Sequence, residues 1–168
     1  MDPTAFLARY NPIAVYHFTD YLNMPSIRKY GILSQNELCE QLVGVYRFGG
    51  NDQSRNLDSN KGLWDYAHLC FTGHHPMAYI TQKDGRIDTL TYIKIKPEIL
   101  LCPGIMGCST VANKHGAEIL PIDQILDRIN FEVIYAPRPD FKDPEYDKGR
   151  RAEILVPKGV APQYILNF

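Results

Sequence analysis

Apolar side chains recur at every second position in several short runs of this chain, and only a few stretches space them by three and four. The alternation is clearest over residues 89–95 and predicts a strand, with Lys83-Asp84-Gly85-Arg86 as the turn before it. Residues 13–19 and 64–71 are rich in β-branched and aromatic types and predict two more strands. A fourth covers 152–156, a nearly unbroken apolar run that Pro157 ends. Helical spacing is rarer. Residues 5–10 suit a helical turn. Asn23, or Thr19-Asp20, opens a helix at Pro25 that runs to Tyr30 and stops at Gly31, with Arg28 and Lys29 near its end, where the helix dipole favours them. Pro76 starts a short helix over 76–80. Ile122, Ile125, Leu126 and Ile129 share one face of a predicted helix over 121–131.

The remaining stretches show little periodicity. Residues 35–63 read as a long loop, of a kind that in a compact domain usually serves function. Residues 97–100 start a short element, and 104–116 read as a loop of small residues. Residues 137–149 form a surface segment with three prolines and many charges. Val160 and Ile165 are expected in the core. Short strands with few helices and no βαβ alternation predict an α+β fold around a small split sheet. A length of 168 residues suits a single domain spanning 1–168.

Composition changes this picture only by exclusion. A net charge of -1 gives no global nucleic-acid signature, although a local basic groove is compatible with it. No apolar run is long enough to cross a membrane, and there is no signal-peptide pattern. Cys39, Cys70, Cys102 and Cys108 form no CxxC pair, and His74-His75 lacks a third ligand at zinc spacing. A reduced, cytoplasmic chain without a structural metal is therefore expected. Glycine-rich dinucleotide loops, phosphate loops and the HExxH zinc motif are absent.

Two places carry candidate chemistry. Glu153 interrupts the apolar run 152–156, just after Arg150 and Arg151. It is either an outward strand residue on a half-solvated sheet or a catalytic glutamate facing a cleft. In 13–19, alternation places Val15, His17 and Thr19 on one face. His17 and Thr19 can then bind one object, or His17 can be a core histidine with a local hydrogen bond.

Tyr16-His17-Phe18-Thr19, the helix and return over 22–33, Asp65-Tyr66 before a strand, Pro76-Met77-Ala78-Tyr79 and Ala152-Glu153-Ile154-Leu155-Val156 follow one another at intervals that resemble the DarT family. These are toxin-type ADP-ribosyltransferases that modify nucleic-acid bases. The resemblance covers nearly the whole chain. It implies a split-sheet ADP-ribosyltransferase fold with NAD as co-substrate in a central cleft, no metal, and Glu153 as a catalytic residue. His17, Phe18 and Thr19 match the first-strand NAD-binding run, where the histidine meets the adenosine ribose. Ser26 and Ser34 fall at further NAD-contacting positions, and Phe71 and Tyr79 at aromatic positions around the nicotinamide. Arg55, within 52–56, matches the family's essential arginine, both catalytic and NAD-binding, with Arg47 as its rival in the same loop. The family's denser arginine run is reduced here, and the linker from Arg55 to Asp65 is shortened. Residues 113–151 correspond to the loop that receives the acceptor.

The activity implied is transfer of one ADP-ribose from NAD to a base in single-stranded DNA, with release of nicotinamide. RNA as acceptor, and a non-catalytic nucleotide-binding domain, remain open alternatives. A toxin opposed by a macrodomain-type antitoxin, acting in growth control or phage defence, comes with the same resemblance; a monomer is the default expectation. Breaking the nicotinamide–ribose bond develops positive charge on the ribose, which a fixed carboxylate stabilises. The planar fork of an arginine matches a diphosphate. Its pKa above about 12 makes it a poor base, so positioning and electrostatic help are the expected roles. The acceptor base must be unpaired, and Tyr46, Tyr135 and Tyr146 are surface aromatics on which it could stack.

Overall fold

The computed structural model describes residues 1–49, 56 and 58–167. Its strands are β1 (Val15–Asp20), β2 (Ile32–Leu33), β3 (Tyr66–Cys70), β4 (Leu90–Ile95), β5 (Met106–Cys108), β6 (Leu120–Pro121), β7 (Glu153–Pro157) and β8 (Gly159–Val160). Six of them form one antiparallel sheet in the order β4-β1-β3-β7-β5-β6, and β2 pairs with β8 in a separate ribbon. The helices are α1 (Pro3–Tyr10), α2 (Met24–Tyr30), α3 (Gln35–Glu40), α4 (Pro76–Lys83), α5 (Ile122–Leu126), α6 (Phe131–Ile134) and α7 (Pro144–Gly149).

Period-2 alternation gives the sheet two unlike faces. Register puts Val15, Ile93, Ile95, Ala67, Leu69, Ile154 and Val156 on one face, and all are buried in the main core. That core continues into an aromatic cluster. Phe6 of α1, fully buried, meets Phe131 of α6 with ring centroids 4.6 Å apart, and Phe71 meets the same ring at 5.1 Å. The other face carries Glu153: Cys70 opposes it, Cys108 opposes it from the other side, and His68 lies two residues from Cys70, while His17, paired with Ile93, shares the face of Val15. Between β1 and β3 the ladder holds a single pair, Tyr16 opposite Cys70. Beyond that pair the two strands part, and the opening becomes the cleft.

Three expectations about the elements are corrected. Residues 35–63 are not wholly irregular: Ser34 Oγ accepts from the Glu37 N–H at 3.2 Å and starts α3. Residues 104–116 contain β5. Gly107 reflects close approach, since a Cβ there would lie 3.1 Å from both the Glu153 carbonyl oxygen and Ile122 Cδ1. The helix expected over 121–131 is two helices. Ile122, Ile125 and Leu126 are buried as expected, but Arg128 bonds back to the Ile125 carbonyl in a tighter turn and Asn130 leaves helical geometry with ψ at 86°. Among the described residues no helix is long and apolar enough to cross a membrane.

Candidate active site

The parting of β1 and β3 opens a cleft of about 530 Å³. His17, Phe18 and Thr19 of β1, Ser26 of α2, His68 of β3 and Glu153 of β7 line it. The lost ladder leaves backbone groups that need partners. His17 supplies one: its Nδ1 lies 2.9 Å from the His68 carbonyl oxygen. A carbonyl only accepts, so Nδ1 carries the proton and Nε2 keeps a lone pair. Burial lowers the His17 pKa, which keeps the ring neutral; the bond to the His68 carbonyl only partly opposes this. Phe18 is stacked against the neighbouring rings of His17 at 6.4 Å and His75 at 5.7 Å.

Glu153 is 9% exposed. Its Oε2 accepts from the Ala112 N–H at 3.1 Å and from His68 Nδ1 at 3.0 Å. Its Oε1 lies 3.7 Å from His75 Nε2. His75 Nδ1 accepts from the Met77 N–H at 3.3 Å and caps α4, so the His75 proton is on Nε2. That nitrogen has no hydrogen-bond partner among the described residues. Burial alone would raise the Glu153 carboxyl. The hydrogen bond and charge of His68, then His75 and the Ala112 N–H, outweigh burial and hold it below the usual carboxylate range. Burial also works against a charged His68, but Glu153, Asp58 and the Leu63 carbonyl raise its pKa above the ordinary value. Burial raises the Asp58 carboxyl, against the charge of His68 and a hydrogen bond from the Asn113 side chain.

The upper wall is a loop over 43–49 that Asn23 ties down. Asn23 Nδ2 donates to Thr19 Oγ1 at 3.0 Å and to the Arg47 carbonyl at 2.8 Å, while its Oδ1 accepts from the N–H groups of Tyr46 and Arg47 at 2.8 and 3.3 Å. Asn23 therefore does not cap α2 with its side chain, as expected of it, although it occupies the capping position. Asp20 caps the preceding turn instead, accepting from the Leu22 N–H at 2.9 Å. Arg47 lines the cleft, and its guanidinium is engaged by Asp88 at 2.6 Å and by the Gly85 carbonyl at 3.1 Å. Arg86 is a second cleft cation, held by Asp84 and by the Gly49 carbonyl.

The structure thus brings Glu153, His17, Phe18, Thr19, Ser26 and Arg47 to one cleft. Arg55 lies outside the described residues. Ser34 is 1% exposed and spends its hydroxyl on capping α3. Phe71 is 1% exposed within the aromatic core on the far side of the sheet, away from the cleft lining. Tyr79 is 66% exposed, and α4 turns Met77 and Thr81 to the cleft in its place. Of the three tyrosines expected at the surface only Tyr46 is there. Tyr146 is 1% exposed with its hydroxyl 3.1 Å from His74 Nδ1, and Tyr135 stacks on Phe131 at 5.5 Å. His68, Asp58, Asn23 and Arg86 are the site residues that sequence reasoning missed. For His68 a signal existed: it is a polar residue at the alternate position of a strand. Its meaning depends on β3 pairing with β7, which spacing does not reveal. Among the described residues no group of three or more His, Cys, Asp or Glu could hold a metal ion.

An antiparallel sheet opened at one seam, with a buried carboxylate at its foot, defines the site, and solved structures share the fold. The chain matches Thermosipho africanus DarTG in complex with ADP-ribose at a TM-score of 0.72, with 26% identity over 90% of this chain and 42% of that one. It matches Thermus sp. 2.9 DarT in complex with ADP-ribosylated ssDNA at 0.70, with 19% identity over 92% and 79%. The fold is that of the DarT ADP-ribosyltransferases. At the level of sequence, the family model "DarT: ssDNA thymidine ADP-ribosyltransferase" matches residues 16–168, and the chain belongs to that family. A relative from Thermosipho africanus (strain H17ap60334), a DNA ADP-ribosyl transferase-DNA ADP-ribosyl glycohydrolase fusion protein, is 31% identical over 170 residues. The match covers 90% of this chain and 40% of the fusion protein, so the chain spans less than half the length of that relative.

Proposed function

We propose that this chain is an NAD-dependent transferase that moves one ADP-ribose from NAD to a thymidine base in single-stranded DNA and releases nicotinamide. The observation that carries the reading is Glu153: a buried carboxylate at the foot of a cleft, with one oxygen held by two donors and the other 3.7 Å from His75 Nε2. In the reaction the bond from ribose C1′ to the nicotinamide nitrogen breaks, and its electron pair neutralises the pyridinium. A base nitrogen bonds to C1′ and loses its proton to solvent water. Glu153 stabilises the positive charge that builds on the ribose and accepts a ribose hydroxyl through Oε1. The lone pair on His17 Nε2 suits a hydroxyl of the adenosine ribose. Thr19, Phe18 and Ser26 complete the wall around NAD, and Arg55 grips the diphosphate.

The families and complexes named above support this assignment. Thermus sp. 2.9 DarT has been solved with NAD+, and that protein's fold is this one at a TM-score of 0.61. The fusion relative joins a transferase to a DNA ADP-ribosyl glycohydrolase. We read the same pairing here: residues 1–168 act as one transferase domain of a toxin, and a glycohydrolase partner of macrodomain type removes the mark. Four unpaired cysteines agree with a reduced, cytoplasmic setting.

The test is incubation of the purified protein with labelled NAD and matched single-stranded DNA and RNA oligonucleotides, with Glu153→Gln in parallel. Label should reach thymidine-containing DNA, and Glu153→Gln should lower the rate roughly 10²–10³-fold while thermal unfolding stays the same. Label on RNA alone would overturn the acceptor. Full activity in Glu153→Gln would overturn the role of the carboxylate.

A further inference from the structure

His68 has surroundings that a neutral imidazole cannot satisfy. Its Nδ1 lies 3.0 Å from Glu153 Oε2, and the ring also bonds the Leu63 carbonyl. A neutral ring carries one N–H and one lone pair, and a lone pair turned toward a carboxylate or carbonyl oxygen is repelled. Asp58 stands close enough to add its charge, and its own carboxylate is braced by the Asn113 side chain. The remaining groups around the ring agree. Lys61, near Asp58, is drawn off to the carbonyls of Ala112 and Lys114, at 3.1 and 2.5 Å. His17, across the seam on β1, donates to the His68 carbonyl and is held neutral by burial, so it adds no opposing charge.

We propose that His68 is a positioning residue: as a cation bonded to Glu153 and within reach of the charge of Asp58, it fixes Glu153 Oε2 and leaves Oε1 as the oxygen that meets the ribose. The proposal rests on Glu153 acting on NAD as argued above. It adds that the charge of Glu153 is not its own property. Without His68, Oε2 keeps only the Ala112 N–H, and burial then drives the carboxyl toward its neutral form. A protonated Glu153 neither stabilises a ribose cation nor holds Oε1 in place. Asp58 serves the same end one step back, by keeping the imidazole charged at neutral pH. Its buried Oδ1 accepts no hydrogen bond among the described residues.

Two variants separate charge from geometry. Asparagine places Nδ2 where histidine has Nδ1, so His68→Asn keeps a donor to Oε2 and removes the charge; His68→Ala removes both. With nicotinamide release as the readout, His68→Ala should lower kcat by roughly 100-fold with KM for NAD changed less than about threefold, the mark of lost positioning rather than lost binding. The acid limb of the kcat–pH profile should move to higher pH in His68→Ala, and by less in His68→Asn, which should also recover part of kcat. An unmoved acid limb, or a rise in KM at constant kcat, overturns the proposal. A second readout needs no acceptor. In protein carrying ¹⁵N-labelled histidine, the His68 ring should show both nitrogens protonated at pH 7, and Glu153→Gln or Asp58→Asn should lower the pH at which it titrates. A neutral ring at pH 7 overturns the proposal whatever the substrate. An imidazolium in a protein that labels no oligonucleotide would instead mark the acceptor reading as the one that failed.

Discussion

Asn23 uses one side-chain amide to hold three segments. It joins the end of β1 through Thr19, its own position before α2, and the loop at Tyr46 and Arg47. Every donor and acceptor of the amide is satisfied, and the residue is 6% exposed. Asn23→Ala would leave two N–H groups and two oxygens without these bonds in a half-dry place. Each such loss costs about 1–3 kcal/mol when water cannot compensate, and the edge of the cleft is partly wet, so the total should fall at about 2–4 kcal/mol. Urea unfolding measures it. Because the loop over 43–49 forms a wall of the cleft, KM for NAD should rise in the same variant. A stable variant with unchanged KM would show that the loop holds itself. In the sequence, Asn23 looked like a helix cap because that is the usual employment of asparagine before a helix. The competing use, by a loop twenty-four residues on, exists only after folding. Arg47 belongs to the same lesson. It reaches the cleft as expected, but its ion pair to Asp88 is one-third exposed on the arginine side, a setting worth about 0–1 kcal/mol. Its guanidinium is committed to the wall.

At the scale of elements, Gly31 decides how α2 hands the chain to β2. Its φ is +81°, open to glycine and costly for other residues, and a Cβ there would sit 2.1 Å from the Val160 carbonyl oxygen. The β2–β8 ribbon closes on that spot, with Ile32 opposite Val160 and Leu33 opposite Gly159. Gly31→Ala should therefore force the ribbon apart and lose about 2–4 kcal/mol, read by thermal unfolding. A loss below about 0.5 kcal/mol would show that the ribbon moves aside freely. Gly31 was legible as a helix stop; the contact with Val160 was not. The same division runs through the fold. β1, β4 and β7 declared themselves by alternation or by an apolar run, since each buries one face or both. β5 was hidden because three residues around a glycine carry no alternation, and residue 107 is a glycine because β7 and α5 press on it. The break in 121–131 was hidden because Ile129 keeps helical spacing across it while the backbone does not. For the site, Glu153 was legible as a carboxylate in an apolar run, and His17 and Thr19 as neighbours on one strand. Phe71 and Tyr79 could not be placed, because whether an aromatic faces the core, the cleft or solvent depends on which side of the sheet its element turns to.

At the scale of the whole molecule, the histidines around the cleft make stability depend on pH from two directions. Burial first of all lowers the pKa of His17 and of His75 below 6.5. As pH falls from 6.5 through their folded values, the unfolded chain takes up protons that the native chain refuses, so stability drops on the acid side. Glu153 acts in the same sense lower down. Its folded pKa lies below 4.5, so the stability it contributes is present above that value and lost as pH falls through the folded one. His68 acts in the opposite sense. Its pKa is raised above 6.5 by Glu153 and Asp58 against burial, so the native chain holds a proton that the unfolded chain gives up. That contribution is complete below 6.5 and is lost as pH rises through the folded value. The urea midpoint should therefore peak near pH 6.5 and fall on both sides. The alkaline fall is specific to one residue. In His68→Asn the peak should be lower, and the decline above pH 6.5 should flatten, because no proton is then bound more tightly by the native state there. A series of urea titrations on both proteins decides it. If wild type gains stability steadily through that range, or if the variant keeps the same decline, the cation at position 68 is not what holds the Glu153 carboxylate.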